Sequence, residues 1–69
     1  MDKSEWRGLF RFLDEANEEE LRARLEKARE VLTIVRSPDV RSDARRVVRL
    51  LEQELLIRQG RPASRARSR

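Results

Sequence analysis

Apolar residues return along this chain at intervals of three and four, in three blocks, and each block reads as an amphipathic helix. The first is short. Trp6, Leu9, Phe10 and Leu13 share one helical face, and Asp2 or Ser4 is placed to cap its start. Gly8 lies inside it, at a cost of about 1 kcal/mol against Ala. All three aromatic residues, Trp6, Phe10 and Phe12, fall in this block. Two roles are open to it: a lid over the packed helices that follow, or an anchor for a partner, where Trp is favoured.

The second block opens at Asn17-Glu18-Glu19-Glu20, which matches a capping box, with Ala16 and Leu21 placed as a hydrophobic staple. The three glutamates also suit the positive end of a helix dipole. A helix running unbroken through Asn17 is the alternative. Leu21, Leu25, Ala28, Leu32 and Val35 then follow at spacings of four, three, four and three, a coiled-coil-like seam. Glu18–Arg22, Glu20–Arg24 and Arg22–Glu26 are i,i+4 pairs of opposite charge.

The connector Arg36-Ser37-Pro38-Asp39 both stops one helix and starts the next. Proline disfavours helical geometry before it and suits the first position of a helix, with Ser37 as cap. A connection this short predicts antiparallel neighbours. The third block carries Val40, Ala44, Val47, Leu51 and Leu55 as its main stripe, widened by Val48. Gly60 suits a C-terminal cap and Pro62 forbids continuation.

These elements predict an all-α fold: an antiparallel two-helix hairpin with a short N-terminal helix, in one domain over residues 1–60. Val31, Ile34, Leu50, Leu56 and Ile57 lie outside the main seams. A two-helix seam also buries little apolar surface for the residues it orders. Both points predict a homodimeric helical bundle, with those five residues at the dimer interface.

Charge changes the picture only once it is located. The net +4 is wholly accounted for by Arg61, Arg65, Arg67 and Arg69, so residues 1–60 are neutral. Residues 61–69 have no apolar periodicity and are expected to be a disordered arginine-rich tail. Within the body, Asp14, Glu15, Glu18, Glu19 and Glu20 form an acidic cluster, and Arg41, Arg45, Arg46 and Arg49 a basic one. Arg41, Arg45 and Arg49 stack at i, i+4, i+8, with Glu52 three residues on and able to pair with Arg49. This stripe is either a solvated face or a surface for an acidic protein or for phosphates. Arg41, Arg45, Arg49 and Glu52 are therefore the candidate partner-binding residues.

The residue inventory argues against catalysis. There is no His, Cys or Tyr, and only two Gly, so the commonest general base, thiolate chemistry and a glycine-rich phosphate loop are all missing. A small hairpin offers little cleft for a carboxylate pair. Neither an enzyme nor a cofactor nor a metal site is expected. No apolar run approaches a membrane span or a secretory signal, so a soluble, cytoplasmic protein is expected.

The segment from Asn17 to Gln59 carries an acidic helix start, a Ser37-Pro38-Asp39-Val40-Arg41-Ser42-Asp43-Ala44-Arg45-Arg46 corner and a Leu50-Leu51-Glu52-Gln53-Glu54-Leu55-Leu56 close. In these and in length it resembles the small helical-hairpin anti-activator (anti-quorum-sensing) proteins encoded by temperate phages. The resemblance covers about two-thirds of the chain and leaves out the aromatic first block and the arginine tail. It implies a dimeric hairpin that binds a host transcription activator at its DNA-binding region, with a pilus-assembly ATPase as a second target, in the host cytoplasm. Together these readings predict a homodimer that binds and inhibits a host protein, a DNA-binding transcription regulator. The alternative is a small nucleic-acid-binding protein that uses the arginine stripe and the basic tail.

Overall fold

Two reciprocal capping boxes set the starts of the first two helices. The Asp2 carboxylate accepts the Glu5 N–H at 2.9 Å, and the Glu5 carboxylate accepts the Asp2 N–H at 2.9 Å. Asp2, not Ser4, is thus the cap of α1 (Lys3–Glu15). Asn17 and Glu20 repeat the device at 2.8 and 2.9 Å for α2 (Glu18–Ile34). Each box satisfies backbone N–H groups that a helix start leaves without partners. Ala16 and Asn17 are both extended, so the helix breaks between α1 and α2 rather than running through. Ala16 and Leu21, the staple pair, lie in the same buried cluster.

The computed structural model describes residues 1–60 and is all-helical over them, with α1 and α2 followed by α3 (Pro38–Gly60). The tail of residues 61–69, expected to be disordered, lies outside the described residues. The link to α3 is Val35, Arg36 and Ser37, and Asp39 falls in the first turn of the helix. The Ser37 carbonyl accepts the first helical bond of α3 from the Arg41 N–H at 2.9 Å. Gly60 remains helical and does not take a left-handed cap. Side chains fasten this end instead: Arg58 to α1 and Gln59 to Glu18, the latter at 3.0 Å.

The core is built from all three helices. Leu9, Leu13 and Ala16 meet Leu21, Leu25 and Ala28 of α2 and Val47, Leu51 and Leu55 of α3. Leu21 and Leu51 are the two large side chains fully removed from solvent. The cross-helix pairs Arg41–Leu32, Arg29–Glu52 and Glu18–Gln59 run in opposite sequence order along α2 and α3. The outer ends of the expected stripes are less buried. Leu32 and Val35 are half-buried, Val40 is 44% exposed, and none of the three belongs to the buried cluster.

α1 lies on this pair through Leu9 and Leu13, with Trp6 and Phe12 half-buried against the core. The expected stripe is corrected here. Phe12 turns inward, and Phe10 stays 49% exposed. The helix needs neighbours for both sides of the Leu9–Leu13 line, and the choice between two phenylalanines one position off it is made by what packs opposite. Arg24 of α2 lies over the Phe12 ring at 4.5 Å, and Arg46 of α3 over Trp6 at 5.1 Å. Such contacts combine cation–π attraction with cover from solvent.

Candidate interaction surfaces

One candidate surface is the outward stripe of α3. Arg45, Arg49, Glu52 and Leu56 follow at spacings of four, three and four, so they line up along one face, turned away from the core stripe. All four are exposed, Leu56 at 67%. Among the described residues, neither Arg45 nor Arg49 forms an ion pair. Both guanidinium groups keep their five donors for a partner.

Arg41 does not belong to this surface, although its spacing put it there. Its half-buried guanidinium donates to the Leu32 carbonyl and, at 3.1 Å, to the Val35 carbonyl. Those groups close the last turn of α2, where carbonyls lack intrahelical partners. Arg41 therefore fastens α2 to α3. Glu52 is corrected too. It pairs with Arg29 across the helices at 2.6 Å, not with Arg49 along its own. Both members of that pair are about half exposed, so it guides orientation more than it stabilises.

The second surface is a groove of about 700 Å³ lined by all three helices. Gly8, Leu9 and Phe12 line it from α1, Ala28 and Val31 from α2, and Val40, Ala44 and Val47 from α3. Its charged lining comes as Glu5 from α1 and Asp43 from α3, and Arg24 and Lys27 from α2. A Cβ added at Gly8 would meet no heavy atom within 4 Å, so the glycine opens onto free space. The Met1 amine pairs with Asp43 beside the groove, and that hydrogen bond raises the amine's pKa above its ordinary 8.0. Sequence reasoning missed this groove. Gly8 was its one local sign, and it read only as a weak point in a helix.

The five residues expected at a dimer interface do not share one face. Val31 lines the groove. Ile34, 73% exposed, lies half a helical turn round α2 from the buried Leu25 line. Leu50 and Ile57 share the flank of α3 that also carries Arg46, and Leu50 packs against the core. Leu56 belongs to the arginine stripe. Seam-avoiding residues point to several sides of a helix, and only the neighbours decide which sides stay open.

No group of three or more His, Cys, Asp or Glu placed to hold a metal ion occurs among the described residues. No described helix is long and apolar enough to cross a membrane. Comparison with known proteins finds no matching family model, no matching curated protein and no matching solved structure.

Proposed function

We propose that this protein works by binding another protein through the outer stripe of α3, as a homodimer of an antiparallel helical hairpin with α1 laid against it. The target is a DNA-binding transcription regulator of a host cell, which the bound protein keeps from its operator in the host cytoplasm. The carrying observation is the alignment of Arg45 and Arg49, free of ion pairs among the described residues, with the exposed Leu56 on one helical face. An aliphatic anchor beside arginines suits a protein surface with an apolar pocket and carboxylates near it. The class of target rests on the resemblance of residues 17–59 to phage anti-activators.

The nucleic-acid reading draws on the same arginines. It is weakened by Glu52 within the stripe and by the neutrality of residues 1–60. Phosphate binding needs positive charge that outweighs nearby acids. A gel-shift series over salt with the protein alone separates the two readings. Weak, unspecific DNA binding is expected. Tight duplex binding at physiological salt, with log affinity falling steeply against log salt, would overturn the protein-target reading. In a host-lysate pull-down read by mass spectrometry, Arg45→Glu with Arg49→Glu should lose the regulator that the wild type retains. Retention by the double variant would remove the stripe from the function.

A further inference from the structure

The groove between α1, α2 and α3 has no part in the outer stripe of α3. Its walls are apolar, its floor opens at Gly8, and Val40 stands 44% exposed at its edge. A domain of this size buries a smaller fraction of its surface than a larger one does, so an apolar groove of about 700 Å³ left open is substantial for it.

The charges on the rim say what fits. Glu5 and Asp43 stand on the side of α1 and α3, and Arg24 and Lys27 on the side of α2. Arg24 lies over Phe12, and Asp43 holds the Met1 amine. An acidic partner would meet repulsion at Glu5 and Asp43, and a basic partner would meet it at Arg24 and Lys27. A surface with opposite signs on opposite walls is complementary to itself under a two-fold rotation about an axis along the groove. Such a rotation would set the α1 side of each copy against the α2 side of the other, acids Glu5 and Asp43 facing cations Arg24 and Lys27, twice.

We infer that this groove is the homodimer interface, with a second copy of the chain as its occupant. The inference rests on the homodimer reading above and replaces the scattered residues Ile34, Leu50, Leu56 and Ile57 with one contiguous surface. Gly8 then has a use that its own fold does not give it. Without a side chain there, the backbone of α1 leaves room for the apolar edge of the second copy, Val31 and Val40. Every rim and wall contact occurs twice across a two-fold interface, so a single substitution counts double.

The test is light scattering and sedimentation across a concentration series, with helicity followed by circular dichroism. The wild type should have about twice the 8.2 kDa chain mass. Gly8→Arg places a long charged side chain in the groove at a position where an added Cβ meets no heavy atom of its own chain within 4 Å. Lys27→Glu sets like charge against the acids of the second copy. Each should raise the dimer dissociation constant roughly 30-fold or more while helicity is kept. Lys27 is an exposed helical residue, so its variant folds and decides the matter if Gly8→Arg does not. Arg45→Glu with Arg49→Glu should leave the constant unchanged. A dimer that survives both groove variants would overturn the groove assignment and leave the homodimer reading standing. A monomeric wild type would overturn both.

Discussion

The two ends of this molecule are made from the same three helices, yet one is closed and the other keeps an open groove. At the junction of α1 and α2, Arg58 donates to the Leu13 carbonyl at 2.8 Å and the Ala16 carbonyl at 2.6 Å. It also holds Glu54 at 3.0 Å. Leucines fill the space there: Leu13, Leu21 and Leu55 are all buried. Towards the connector between α2 and α3, the small residues Gly8, Ala28, Val31, Val40, Ala44 and Val47 stand beside Leu9 and Phe12, and a groove remains. The glycine, alanines and valines there fill less volume than the leucines at the other end. The guanidinium latch that draws α1 down at one end has only an exposed amine–carboxylate pair, Met1 with Asp43, as its counterpart at the other. Packing volume together with carbonyl capture, more than helix propensity, decides where three short helices close.

Truncation should expose this asymmetry most strongly. Leu51→Ala removes a fully buried side chain and should cost about 2–5 kcal/mol in urea unfolding. Val40→Ala at the groove end, measured at a dilution where the chain is dissociated, should cost well under half of that, because the side chain is 44% exposed in the single chain. Equal losses would mean that Val40 is covered even in the dissociated chain, and the contrast between the ends would fall.

The latch comes next. Arg58→Met keeps the aliphatic stem and removes the guanidinium, leaving two carbonyls of the α1 terminus without their partner. Unpaired buried acceptors cost about 1–3 kcal/mol, and hydrogen exchange should rise in the last turn of α1 before it rises in α3. No change in stability would show that water serves those carbonyls equally well.

The smallest effect is expected at the other end. The amine of Met1 has its pKa raised, chiefly by the hydrogen bond it donates to the Asp43 carboxylate. A group whose folded pKa lies above its unfolded value adds stability that is complete below the unfolded value and is lost as pH rises through the folded one. A slight fall in the urea midpoint is therefore expected above pH 8.0, and Asp43→Asn should abolish that slope. A slope that persists in Asp43→Asn would assign it to another group.

Much of the helical architecture is legible locally. The capping boxes at Asp2 and Asn17 depend on residues three positions apart, so a reader of the chain sees both partners together. The choice at Asn17 between a break and a continuous helix went to the break for the same reason. The heptad-like spacing of Leu21, Leu25 and Ala28 likewise names a buried face without knowledge of its neighbours. The candidate surface was half legible. Arg45 and Arg49 are exposed, as their spacing away from the stripe requires, and Leu56 joins them at the next step of the same pattern.

What could not be read is long-range. The partners of Arg58 are 42 and 45 residues away, and they are carbonyls, which every residue possesses. Arg41 looks like any other member of its arginine stripe until the end of α2 is placed beside it. Glu52 had a sequence neighbour, Arg49, and a spatial one, Arg29; the spatial one holds it.

By itself, then, the chain determined where its helices begin, which faces they bury and that residues 1–60 carry no net charge, because these follow from backbone hydrogen bonding, side-chain periodicity and composition. Only the tertiary structure decided which phenylalanine turns inward, which arginines are taken by carbonyls, and that one end stays open around Gly8. Those outcomes depend on the volume and the polar groups that a distant helix brings to each position, and no spacing along a single helix carries that information.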